Sequence, residues 1–98
     1  MVARRLRMSA RRTSVVHCKR ESFDVYIGRP GRWGNPFRIG PDGTRSEVLE
    51  KFEAWIRAPE RAELRAEVRR HLRGKVLGCW CAPKACHGDV LARIADEG

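Results

Sequence analysis

The run Lys75-Val-Leu-Gly-Cys-Trp-Cys81 constrains this chain more than any other segment. It is apolar nearly throughout, and such a strand belongs in the centre of a sheet with both faces covered. Ala82-Pro83-Lys84-Ala85 breaks the run. Cys86-His87-Gly88-Asp89 then opens a segment whose Val90, Leu91 and Ile94 fall at helical spacing. Strand, tight loop and helix in that order predict an α/β fold.

The remaining elements follow from periodicity and punctuation. Ser14–Cys18 is a β-branched run and predicts a first strand, and Phe23–Ile27 alternates as a second. Residues 28–43 hold five of the nine glycines and three of the five prolines, which marks a long loop. Trp33, Phe37 and Ile39 call for burial, so this loop is expected to be structured. Thr44 followed by Glu47 forms a capping box, and Val48, Leu49, Phe52, Trp55 and Ile56 make one apolar helix face. Pro59 ends that helix and starts another, in which Leu64, Val68 and Leu72 recur every fourth residue before Gly74. The expected architecture is a small single-domain α/β sandwich over residues 14–98. It has about three strands and three helices in the order β-β-α-α-β-α.

Charge separates an arm from this body. Seven of the 21 Lys and Arg side chains fall within residues 1–20, which contain no acid, while the whole chain carries +9. Residues 1–13 therefore read as a basic disordered arm, attracted to phosphate polymers without sequence preference. No apolar run approaches the roughly 20 residues needed to cross a bilayer, so no membrane role is expected. Three of the four cysteines crowd into residues 79–86 beside a histidine. That crowding suits reduced thiols or a metal site in a cytoplasmic protein better than a disulfide framework.

The crowded loop supports three chemistries. Cys79, Cys81, Cys86 and His87 are the residue types that ligate zinc, although two of them are adjacent and all four lie within nine residues, a tight wrap for one ion. His17 or Cys18 could replace one of them. Alternatively, Cys86 is a nucleophile, with His87 or His17 as base and Asp89 as orienter, because a helix N-terminus lowers a thiol pKa and attracts anions. The third reading is structural, with the cysteines as small buried side chains that let strand and helix approach.

A second constellation spans Tyr26-Ile-Gly-Arg29-Pro-Gly-Arg32-Trp33-Gly-Asn35-Pro-Phe37-Arg38. Arginine forks suit phosphate or carboxylate, asparagine reads an amide or base edge, and Trp33 or Tyr26 could stack on a base. Residues 29–45 carry four arginines against a single aspartate. The bland alternative is a proline–aromatic corner with solvated arginines.

Together these motifs resemble the domain of unknown function 4326 family, found in bacteria and phage genomes. Val25–Arg29, Trp33–Phe37, Gly74–Cys81 and Cys86–Leu91 carry the likeness. The resemblance implies that Arg29, Trp33, Asn35, Cys79, Cys81, Cys86, His87 and Asp89 belong to one site, and it implies no biochemical activity. Phage context favours nucleotides or nucleic acid as ligands.

The combined expectation is a pocket between the Arg29–Phe37 loop and the Cys81–Asp89 turn. In it Arg29, Arg32, Trp33 and Asn35 bind a nucleotide, nucleic-acid end or other phosphate-bearing ligand, and Cys86, His87 and Asp89 perform any chemistry. Whether the chain is an enzyme stays open at this point. The alternatives are a zinc-bearing module associated with nucleic acid and an interaction protein without pocket chemistry.

Overall fold

Three parallel strands form the sheet, with the apolar run in its middle, in a computed structural model that describes residues 12–97. Strand β1 is Ser14–His17, β2 is Val25–Tyr26 and β3 is Val76–Cys79, and the spatial order is β1-β3-β2. Helix α1 spans Arg45–Ile56, a short 3-10 turn covers Pro59–Arg61, α2 spans Ala62–Leu72 and α3 spans His87–Asp96. The order is β-β-α-α-β-α, as the sequence predicts. The expected seven-residue central run shortens to four ladder residues.

Register explains which side of the sheet is core. Val15, Leu77 and Val25 stand side by side across the three strands, and all three join the apolar cluster under the helices. Phe52 and Ile56 come from α1, Val68 and Leu72 from α2, and Val90, Leu91 and Ile94 from α3. Burying an aliphatic or aromatic side chain of this size contributes roughly 1.5–3 kcal/mol each, so this face holds the domain together.

The opposite layer carries Val16, Gly78 and Tyr26. Here the central strand is covered by an aromatic ring rather than by a helix. A Cβ on Gly78 would sit 2.6 Å from the Phe23 ring, so Phe23 lies flat against the strand because position 78 has no side chain. Tyr26 and Trp80 lie on the same side and are largely exposed.

The helix ends follow local chemistry. Thr44 and Glu47 form the expected reciprocal cap on α1. Cys86 caps α3: its sulfur accepts from Gly88 N–H, and Asp89 accepts from Cys86 N–H at 3.0 Å. The ordered body also includes Thr13, which is buried and bonded to both α3 and the Gly74 backbone. Residues 1–11 of the expected basic arm lie outside the described residues. No helix among the described residues is long and apolar enough to cross a membrane.

Candidate ligand pocket and thiol pair

A cavity of about 410 Å³ opens where the C-terminal ends of β2 and β3 meet the first turns of α1 and α3. This is the edge of an open α/β sheet at which ligands bind, and the volume falls within the range of small-molecule sites. The 28–43 loop supplies Gly28, Arg29, Asn35, Phe37, Arg38 and Ile39. The segment after β3 supplies Cys79, Trp80, Cys81, Cys86 and His87, and α1 adds Arg45, Val48 and Leu49.

The lining combines cationic and apolar side chains. It contains Arg29, Arg38 and Arg45 and no Asp or Glu. None of these arginines is in an ion pair among the described residues, whereas Arg32, Arg57 and Arg93 are. Arg29 donates to the Asn35 carbonyl at 2.9 Å and Arg45 to the Ala85 carbonyl at 3.0 Å. Each guanidinium has five N–H donors, so these bonds aim the groups without exhausting them. Phe37, Leu49 and the half-exposed Ile39 form the apolar wall.

Asn35 is buried, and its Oδ1 accepts from Phe37 N–H at 2.8 Å. Its Nδ2 has no acceptor among the described residues. A buried amide donor is costly to leave unmet, and Asn35 is among the residues that line the cavity.

The thiol pair is part of this lining. Cys79 Sγ and Cys86 Sγ are 3.1 Å apart, and both residues are buried from bulk solvent while lining the cavity. The Cys79 thiol is lowered to about 6, chiefly because Cys86 donates a hydrogen bond to it. Burial opposes that shift, and the backbone N–H groups of Ala82 and Cys81 reinforce it. Cys86 is pushed well above the ordinary thiol range by holding the shared proton toward Cys79 and by burial. The shared hydrogen bond thus favours the thiolate on Cys79 and the proton on Cys86. Gly88 makes the approach feasible, since a Cβ there would fall 2.7 Å from Ile27 Cδ1 and 3.2 Å from Cys86 Sγ.

His87 is held beside this pair. Its Nε2 hydrogen-bonds the Ile27 carbonyl at 2.8 Å, and its ring meets Phe52 edge-on. Burial lowers its pKa, the carbonyl bond partly restores it, and Arg29 lowers it further. The ring is thus a neutral clamp between α3 and the end of β2. Asp89 is exposed and turned onto the Cys86 amide as a helix cap.

The structure therefore gathers Arg29, Asn35, Cys79, Cys81, Cys86 and His87 at one cavity and leaves other expected members outside it. Arg32 pairs with Glu67 at 3.1 Å and stacks 4.4 Å over Trp33, whose ring lies near His71 of α2. That corner braces the loop against a helix and does not line the cavity. Tyr26 accepts a hydrogen bond from Trp80 Nε1 on the uncovered sheet face, and His17 packs against the Trp80 ring. Among the described residues no three His, Cys, Asp or Glu side chains are gathered so as to hold a metal ion. Within the tetrad Cys79, Cys81, Cys86 and His87, His87 Nε2 hydrogen-bonds the Ile27 carbonyl and Cys86 Sγ lies against Cys79 Sγ.

Arg38, which closes the second constellation without being named as a binding residue, and Arg45, which lies outside it, are pocket residues. For Arg45 the signal in the sequence was the excess of arginine over acid in residues 29–45.

Fold and site together define a small parallel α/β domain with a cationic pocket above a buried thiol pair. The chain belongs to the family described as Domain of unknown function (DUF4326), matched over residues 9–97. It is 40% identical over 85 residues to an uncharacterised 12.4 kDa protein from the nrdA-td intergenic region of Enterobacteria phage T4. That alignment covers 85% of this chain and 77% of the relative. An uncharacterised protein of Acanthamoeba polyphaga mimivirus is 30% identical over 92 residues, covering 76% of this chain and 68% of the relative. No solved structure matches.

Proposed function

We propose that the cavity binds a nucleotide-sized organic anion and presents it to the Cys79 thiolate. The observation that carries this reading is the lining itself, which among the described residues holds three arginines outside any ion pair and no acid, beside the Cys79–Cys86 sulfur contact. Guanidinium forks match phosphate and carboxylate oxygens bidentately, so Arg29, Arg38 and Arg45 hold the anionic end. The wall of Phe37, Ile39 and Leu49 receives the flat or apolar end, and Asn35 Nδ2 reads a ligand oxygen between them. Half-exposed Ile39 and Trp80 at the mouth are apolar surfaces that a bound ligand would cover.

In this reading the active group shifts from Cys86 to Cys79. Cys86 donates a hydrogen bond to the thiolate, His87 fixes the loop, and Asp89 caps the helix. The same features make the chain a candidate enzyme that uses a thiolate nucleophile.

Calorimetric titration with nucleoside monophosphates and their uncharged nucleosides tests the proposal. Binding that weakens at least tenfold when the phosphate is removed, and again with Arg45→Met, is the expected result. Equal binding of nucleoside and nucleotide, or none at millimolar concentration, would overturn it.

A further inference from the structure

The closeness of Cys79 and Cys86 has a chemical consequence separate from anion binding. Their sulfurs are 3.1 Å apart, and a disulfide needs about 2.05 Å, so closure asks the two to approach by about 1 Å. One sulfur ends a strand and the other caps a helix, with only a Pro-containing turn between them. Both residues line the cavity while remaining only 2% exposed, so a small molecule seated there borders the pair. Nucleophile and partner thiol are thus already in contact.

We infer that Cys79 and Cys86 form a redox couple that exchanges with low-molecular-weight disulfides admitted through the cavity. Cys79 thiolate attacks one sulfur of R–S–S–R, forming the mixed disulfide Cys79–S–S–R and expelling R–S⁻. That leaving thiolate takes the proton from Cys86. The new Cys86 thiolate then attacks the Cys79 sulfur, the Cys79–S–S–R bond breaks, and a second R–S⁻ departs. Two electrons pass from the cysteine pair to the small disulfide, which leaves as two thiols once the second is protonated by water. The oxidised form has no Cys79 thiolate, so the pocket carries its nucleophile only when reduced.

Cys81 also lines the cavity and Cys18 is half-buried at the end of β1, which makes them the competing partners. The geometry favours Cys86, because its sulfur meets Cys79 sulfur at 3.1 Å, whereas Cys81 reaches that sulfur through its backbone N–H.

The test uses the reduced full chain with bis(2-hydroxyethyl) disulfide, an uncharged probe that owes nothing to the arginines. After an acid quench and alkylation of free thiols, tryptic peptides are mapped by mass. Cleavage at Lys84 separates Cys79 and Cys81 from Cys86, so a bridge to Cys86 links two peptides, and fragmentation between Cys79 and Cys81 assigns which of them is bonded. The expected result is loss of two thiols per chain, with the two peptides joined and Cys18 alkylated. Cys86→Ser is expected to stop at a persistent mixed disulfide on Cys79, and Cys81→Ser still to close the bridge. A wild-type mixed disulfide that persists with Cys86 free, a bridge mapped to Cys81 or Cys18, or no reaction would each overturn the inference. Exchange without nucleotide binding would leave this inference standing and remove only the pocket proposal.

Discussion

Thr13 Oγ1 donates to Asp96 Oδ1 at 2.7 Å, joining residues 83 positions apart. The same hydroxyl accepts from Gly74 N–H at 2.8 Å, and Thr13 N–H also points at the Asp96 carboxylate. A single side chain thereby ties the entry to β1, the end of α2 and the last turn of α3.

Thr13→Val keeps the shape and removes that hydroxyl. It leaves the Gly74 amide without an acceptor, so the expected cost is about 1–3 kcal/mol. In a domain of this size each kcal/mol lowers the melting temperature by about 4–8 °C. Thermal unfolding followed by circular dichroism reads the shift, and an unchanged midpoint would remove Thr13 from the fold's supports.

Cys79 should titrate as a thiolate far below a free thiol. The rate of its alkylation by iodoacetamide is expected to reach half its plateau at about pH 6. Cys86→Ala removes the principal donor, and the midpoint should move up toward the ordinary thiol range. Stability carries the same signature. Between about pH 6 and the free-thiol value near 8.5, the folded chain has released a proton that the unfolded chain keeps. Stability from this group therefore rises across that window and is lost as pH falls back through 6. Above 8.5 the trend reverses, because folded Cys86 keeps a proton that the unfolded chain gives up.

His87 predicts the acid side. Its pKa is depressed mainly by burial, so the unfolded chain binds the proton more readily than the folded one. Stability from this group is present above the ordinary histidine value of about 6.5 and is lost as pH falls through the folded value. Denaturant unfolding at a series of pH values should show that slope above the carboxylate range, and His87→Asn should flatten it.

Asp89 separates capping from catalysis. Asp89→Ala removes the acceptor for Cys86 N–H and should cost about 0.5–2 kcal/mol. Its negative charge also raises the Cys79 pKa, so its removal should shift the alkylation midpoint downward. A variant with lower stability and a more acidic thiol is the expected pair of readings. An unchanged midpoint with unchanged stability would rule out both contacts.

The parts of this fold that were legible in the sequence are those decided within a few residues. The Thr44–Glu47 cap, the Val90, Leu91 and Ile94 stripe and the central position of β3 each depend on local spacing, and each appears as expected. The family likeness was likewise legible in contiguous motifs. Contacts between distant segments were not. Adjacent motif residues Arg32 and Trp33 face α2, while Arg45, outside the motif, faces the cavity. Ile39, expected to be buried, stands half exposed at the mouth, because apolar character alone does not say whether a wall is packed or open. The choice of Cys79 over Cys86 as thiolate depends on a sulfur–sulfur contact and on two backbone amides, which spacing in the chain does not encode.

Trp80 occupies the boundary between two environments. Its indole leans on His17 and hydrogen-bonds Tyr26 on the uncovered sheet face, with Lys19 above the ring, yet the same residue lines the mouth of the cavity. It is more than half exposed, while Trp33 and Trp55 are partly packed against the core. The chain therefore carries its own optical gauge: the water-facing component of its tryptophan emission comes largely from one ring, and that ring borders the entrance.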